Sequence, residues 1–323
     1  MNKLLVTGIA GFVGGHVLDI LSREDEPIEI HGICRSIPTW DYLCNPDARS
    51  YLCLHRADLR EKERIQEIIN DVSPDAILHL AAQSSVTESW RDPVGTFSNN
   101  TEIFLNVLEA VRKQGGDCKI VLVGSAEAYG IAHGDILQLQ EDAPLVPANP
   151  YAMARISQEH IAHVYSKGYG LSICSTRSFS HFGAGQPDKF VISGIAKQFA
   201  QISLGIQKPV VIIGNGSVVR DFLDVRDVVS AYRAILEHAP SGSIYNVCSG
   251  TGHSIYDIVT LYTRLLKIPV QIHEDLSLYR PTENPVLVGD NTKIRRELRW
   301  SQIVPIETSF IMMYEYWYRK LSK

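Results

Sequence analysis

The chain has 323 residues, enough for a large domain with a smaller one packed against it, and its 45% hydrophobic content supplies a full core. A net charge of −5 excludes a non-specific nucleic-acid binder, which would carry a basic surface, and no uncharged apolar run reaches membrane-spanning length. The apolar start, 4–9, is too short and too glycine-interrupted for a secretory leader, so a cytoplasmic protein is expected.

In chain order, 3–7 reads as a strand, 14–23 as a helix and 29–34 as the next strand. The pattern continues with a helix over 61–71, a strand over 76–80, a long helix over 95–115 and a strand over 119–124. A second long helix, 151–169, starts after the break at Asn149-Pro150, and a strand covers 172–178. This βαβα alternation predicts an α/β fold of the Rossmann type, a doubly wound parallel sheet with helices on both faces. From Phe179 the pattern loosens, with short strands at 209–213 and 270–273 and helices over 224–238, 254–267 and 306–321. A dinucleotide-binding domain over 1–178, with 220–250 partly returning to it, and a smaller α/β lobe over 179–323 are therefore expected.

Thr7-Gly8-Ile9-Ala10-Gly11-Phe12-Val13-Gly14 lies between the first strand and the first helix. Gly8 and Gly11 let the backbone turn and approach a pyrophosphate, Gly14 allows close helix–strand packing, and the helix amino end offers N–H groups to phosphate. At the end of the second strand, where an acid would hold a free ribose 2′-hydroxyl, stand Arg35 and Ser36. Their charge and hydroxyl suit a 2′-phosphate, so NADP(H) is favoured over NAD(H), which stays possible. Six cysteines, Cys34, Cys44, Cys53, Cys118, Cys174 and Cys248, form no Cys-x-x-Cys pair and are expected to be buried reduced thiols with no metal bound.

The Gly-x-x-Gly-x-x-Gly spacing with Phe12 and Val13 resembles the extended short-chain dehydrogenase/reductase family. Asp58-Leu59 is similar to that family's adenine-contacting pair, and Leu80-Ala81-Ala82 to its loop beside the nicotinamide-side phosphates. The resemblance implies that Ser125 binds the reacting oxygen and that Tyr151, of Tyr151-Ala152-Met153-Ala154-Arg155, passes the proton. Asn100 matches the family's helix asparagine. Arg155 stands where the family has lysine; it keeps the positive charge but differs in shape and cannot pass a proton. Slower chemistry, an introduced substitution and a homologue without catalysis are all compatible with it. Glu127 reads equally as the dehydratases' proton-abstracting carboxylate and as a salt-bridged side chain.

Thr176 to Gln186 resembles the matching segment of GDP-4-keto-6-deoxymannose reductases, with Ala184 for the usual proline and Ser180 for the usual asparagine. The stretches 219–228, 245–250 and 280–283 are also similar to those enzymes. The resemblance implies a nucleotide-sugar lobe in which Ser180, Gln186, Arg220, Arg280 and Glu283 meet the substrate, the arginines at the diphosphate and Glu283 at guanine. It implies a homodimer packed through 95–115 and 151–169. The expected reaction is reduction of C4 in a GDP-4-keto-6-deoxy hexose or heptose, in deoxysugar biosynthesis. The alternatives are a GDP-sugar 4,6-dehydratase or 4-epimerase, and a non-catalytic nucleotide-sugar binder. No nucleic-acid or membrane partner is expected.

Overall fold

The structure, a computed structural model, describes residues 1–24, 28–131, 138–280 and 282–323. The amino-terminal half lays down β1 (Lys3–Thr7), α1 (Phe12–Leu21), β2 (Glu29–Cys34), β3 (Leu52–Arg56), α2 (Lys62–Val72) and β4 (Ala76–His79). There follow α3 (Val86–Arg91), α4 (Pro93–Gln114), β5 (Lys119–Val123), α5 (Pro150–Tyr169) and β6 (Ser172–Ser178). The remainder contributes β7 (Ser180–Phe182), α6 (Val191–Ser203), β8 (Val210–Ile213), β9 (Val219–Asp224), α7 (Val225–His238) and β10 (Ile244–Val247). Last come β11 (Gly252–Ser254), α8 (Ile255–Leu266), β12 (Gln271–Glu274), β13 (Val286–Leu287), α9 (Thr292–Leu298) and α10 (Ile306–Leu321).

Seven strands form one parallel sheet in the order β10-β6-β5-β4-β1-β2-β3. The chain winds outward in both directions from β1, so the order reverses between β1 and β4, and a crevice opens there beyond the carboxyl ends of the strands. All four residues of β4 are buried, as expected of a strand covered on both faces. One face packs on Val17 and Leu18 of α1 and on Val228, Tyr232 and Ile235 of α7. The other packs on Ile65, Ile68 and Ile69 of α2 and on Phe104, Val107 and Leu108 of α4.

The second lobe is built on β9, flanked by β11 and β13 and paired with β7, beside the separate pair β8–β12. Its core joins Phe199 of α6, Tyr262 of α8 and Phe310, Met313 and Trp317 of α10. The two lobes are interleaved along the chain. α7 and β10 rejoin the large sheet, while β9 stays in the small one. Ile294, Leu298 and Trp300, far into the carboxyl-terminal segment, pack in the core of the large sheet.

Caps fix the helices that carry the site. Asn149 accepts from the Ala152 N–H at 2.8 Å, Pro150 opens α5, and Gly170 closes it in the left-handed region. Four of the six cysteines are buried, but Cys44 and Cys53 are exposed, which corrects the expectation of uniformly buried thiols. Both sit where the outer strands and their following loop meet solvent.

Candidate active site

β1 ends on Thr7, and Gly8 turns the chain at φ 71°, a conformation that favours glycine. A Cβ at Gly8 would lie 2.8 Å from Ala81 Cα, so the turn and the 80–82 loop touch backbone to backbone. The Gly11 N–H donates to the Gly8 carbonyl at 2.9 Å, and Gly11 caps α1 with no side chain in the way. A Cβ at Gly14 would overlap the Ile9 carbonyl, so glycine is what lets α1 sit this close to its strand. The cradle thus presents the amino end of α1, with N–H groups lacking intrahelical acceptors, at the switch point of the sheet.

Aromatic rings weld this turn to the second lobe. Phe12 stacks on His181 with ring centres 6.4 Å apart and meets His16 edge-on at 5.1 Å. The Tyr42 hydroxyl donates to the Phe12 carbonyl at 2.9 Å, and His16 Nε2 lies 2.8 Å from the Ala184 carbonyl. Burial pushes the Tyr42 hydroxyl pKa well up and holds His16 and His181 below the usual histidine value. Val13 lies on the same first helical turn, half-buried.

At the far end of the cradle Arg35 and Ser36 are exposed just after β2. Arg56 Nε donates to the Arg35 carbonyl at 3.2 Å, and Arg60 forks onto Asp58 at 3.1 and 2.7 Å. Those hydrogen bonds from Arg60 hold the Asp58 carboxyl down at about 2. Leu59 is buried and its carbonyl accepts from Asn106 at 2.9 Å. Arginines 35, 56 and 60 therefore gather where the ribose of a bound dinucleotide would lie, and this donor set fits a 2′-phosphate. Leu80 and Ala81 are tied to Thr7, through its carbonyl at 3.2 Å and its hydroxyl at 3.4 Å, while Ala82 is half-buried beside them.

Ser125 caps the short 3-10 turn Ala126–Tyr129, its Oγ accepting from the Glu127 N–H at 3.2 Å. Tyr151 lies one turn before Arg155 on α5, and Arg155 Nε donates to the Tyr151 hydroxyl at 3.0 Å. Arg155 Nη1 donates to the Val123 carbonyl at 3.1 Å and to Gln158 Oε1 at 3.0 Å. Arg155 is 6% exposed, and its guanidinium has no carboxylate partner among the described residues. A buried cation held by neutral groups is costly, and a neighbouring phenolate is the anion that would offset it.

Asn100 sits one step further back. Its side chain is committed to Gln83, accepting from the N–H at 2.8 Å and donating to the carbonyl at 3.1 Å. Its own carbonyl accepts from Gln158 Nε2 at 2.7 Å, so it reaches Arg155 through Gln158 and acts as a positioning residue. Gln158, three residues after Arg155, carried no signal in the sequence beyond its helical spacing.

Glu127 is held from two sides, by Asn149 Nδ2 at 2.9 Å and by Arg280 at 3.9 Å. Arg220 is buried, with Nη1 donating to the carbonyls of Val219 and Asn284 at 2.9 and 2.8 Å and Nη2 3.8 Å from Glu283. Burial lowers its pKa, with the charge of Glu127 opposing. The five side chains of Glu127, Asn149, Arg220, Arg280 and Glu283 thus link the catalytic edge to the second lobe, although Arg220 is less available to a diphosphate than its sequence context suggests. Ser180 opens β7, half-buried. Gln186 is buried, with Nε2 donating to the His181 carbonyl at 2.8 Å and Oε1 unpartnered.

A parallel sheet with this strand order, a glycine turn before its first helix, a serine just past the carboxyl end of β5 and a tyrosine–arginine pair on α5 that reaches the same strand end define a Rossmann-type enzyme of the extended short-chain dehydrogenase/reductase class. The profile of one family within it, GDP-mannose 4,6 dehydratase, matches residues 5–313, and the chain belongs to that family. It is 31% identical over 316 residues to the GDP-6-deoxy-D-mannose reductase of Pseudomonas aeruginosa, covering 98% of this chain and 97% of that one. The structure of RMD from Pseudomonas aeruginosa complexed with NADPH superposes with a TM-score of 0.86 at 30% identity, covering 99% of this chain and all of that one. A UDP-glucose 4-epimerase of Thermus thermophilus in complex with NAD gives 0.84 at 26% identity, covering 98% of each chain.

Proposed function

We propose that the chain uses NADPH to reduce the C4 ketone of a GDP-4-keto-6-deoxy sugar. The observation that carries this reading is the hydroxyl of Tyr151 held 3.0 Å from the buried Arg155 guanidinium, which also reaches the Val123 carbonyl two residues before Ser125. The similarity to a GDP-6-deoxy-D-mannose reductase supports the substrate class, and the similarity to a structure holding NADPH supports the cofactor.

A bound nicotinamide supplies the hydride that adds to C4. The chain does the rest. The Ser125 hydroxyl, its oxygen already occupied by the Glu127 N–H, donates to the ketone oxygen and steadies the charge that grows there. Tyr151 gives its proton to that oxygen, which completes the alcohol, and is reprotonated from solvent. Arg155 holds the phenolate that remains, with Val123, Gln158 and Asn100 fixing the guanidinium. Arg220, Arg280 and Glu283 border the expected place of the nucleoside diphosphate.

Incubation with GDP-4-keto-6-deoxymannose and NADPH tests the reading. The expected result is loss of NADPH absorbance matched by one reduced sugar per turnover. A dehydratase or epimerase, for which Glu127 beside the site is the favouring observation, retains cofactor and gives product from GDP-mannose with no net NADPH loss. No turnover of either sugar marks a non-catalytic binder and excludes the reductase. We also infer a homodimer through α4 and α5, whose outer faces expose Val94, Phe97, Met153 and Val164; light scattering at twice the chain mass supports it and a monomer contradicts it. No helix among the described residues is long and apolar enough to cross a membrane, and we assign the reaction to the cytoplasm.

A further inference from the structure

We propose that His31, Cys53 and His55 bind one borderline divalent transition-metal ion, with zinc the best match, on the outer strands of the large sheet. In the parallel register His31 of β2 stands opposite Cys53 of β3, and His55 follows two residues on, so all three side chains share a face. That face is the one covered by α2, because Ile33, two residues after His31, packs with Ile65 and Ile69. The three ligand atoms lie within 4.8 Å of one another.

The geometry is close to what a tetrahedral ion needs. His31 Nδ1 and His55 Nε2 are 3.0 Å apart, and two nitrogens on one zinc are separated by about 3.3 Å, given bonds of about 2.0–2.1 Å. The rings lie within 20° of parallel, their centres 5.2 Å apart, so a slight separation admits the ion between the two nitrogens. Cys53 is exposed, and rotation of its side chain brings the sulfur onto the third corner, leaving the fourth to water. Two imidazoles and one thiolate are the donors zinc prefers, and carboxylate-seeking magnesium or calcium is poorly served by them.

The supporting shell is present as well. Glu29 Oε1 lies 2.8 Å from His31 Nε2, so His31 donates there and keeps Nδ1 free as a ligand. With that tautomer fixed, His55 Nε2–H donates to His31 Nδ1 in the metal-free protein. On binding, His55 moves its proton to Nδ1, and the Cys53 thiol releases its proton to solvent as the sulfur–metal bond forms. The site spans the middle of β2 and most of β3, and ties the outermost strand β3 to β2. These strands lead into Arg35 and Asp58, so a bound ion stiffens the platform for the ribose end of the cofactor.

Cobalt(II) titration of the chelator-treated full chain tests the proposal. The expected result is one ion per chain, a thiolate-to-cobalt charge-transfer band in the near ultraviolet and tetrahedral-strength visible bands, all displaced by zinc. Cys53→Ser removes the charge-transfer band, His55→Gln weakens binding by at least about a hundredfold, and Glu29→Gln weakens it by about 10–100-fold with the band retained. Cys44→Ser, altering the other exposed thiol, leaves the spectrum unchanged. On the unaltered protein, zinc slows alkylation of Cys53 and not of Cys44. Absence of the band, its survival in Cys53→Ser, its loss in Cys44→Ser, or equal alkylation of Cys53 with and without zinc overturns the proposal.

Discussion

In the proposed mechanism Arg155 is the cation that favours the Tyr151 phenolate. Its Nε contact to Tyr151 does electrostatically what a lysine one turn along would do, but through a planar group locked by Val123 and Gln158. Tyr151→Phe should lower kcat for ketone reduction by about 10²–10⁴ while the Kd for NADPH stays nearly the same, measured by turnover and by fluorescence titration. Arg155→Met should fall in the same range and Arg155→Lys should lie within about tenfold of the parent. A methionine variant that turns over normally contradicts the assignment. Tyr151, Arg155 and Ser125 could be named as candidates from the sequence because the family resemblance runs through one helix and one strand end, and the structure puts the Tyr151 hydroxyl against Arg155. The Asn149–Glu127–Arg280 chain was not, because its members lie 22 and 153 residues apart and meet only through the fold.

At the scale of elements, the ribose end of the cradle joins the ends of β2 and β3. Arg35→Glu should raise the KM for NADPH by about 10–100-fold and leave NADH nearly unaffected, since it removes a charge-assisted contact that only a 2′-phosphate makes. Equal effects on both cofactors in steady-state assays would contradict this. Asn149→Ala removes the cap of α5 and a donor to Glu127 at once, so a stability loss of about 1 kcal/mol by denaturant titration should accompany a lower kcat. Strands 3–7, 29–34 and 172–178 were read to the residue because each is a short, largely buried segment set between helical or turn segments, although only 3–7 holds an unbroken apolar run, Leu4–Val6. In the second lobe α6 and β9 escaped the reading, as did β10 at the edge of the large sheet. β9, Val219–Asp224, carries Arg220, Asp221 and Asp224, all buried through specific partners, so polarity there reports pairing and not exposure.

Across the whole molecule the glycine turn, the sheet and the second lobe meet through histidines kept neutral by burial. His79, at the end of β4, is held down at about 3 by burial and by the field of Arg155, while His16 and His181 are also lowered. Between the folded value of about 3 and the unfolded value near 6.5, the unfolded chain binds the extra proton. Each such group therefore contributes stability that is full above pH 6.5 and lost on acidification, at up to about 1.4 kcal/mol per pH unit. Unfolding midpoints between pH 6.5 and 5 should fall accordingly, and His79→Asn should flatten the slope; an unchanged slope in that variant refutes the account of His79. The central claim, that a hydride is delivered to C4 over Tyr151, is tested most directly by supplying NADPH deuterated at the transferable position together with GDP-4-keto-6-deoxymannose. The account predicts a product whose C4 carries one deuterium by NMR, formed about 10²–10⁴-fold more slowly by Tyr151→Phe than by the parent. Product with hydrogen at C4, or no reduced sugar, would contradict it.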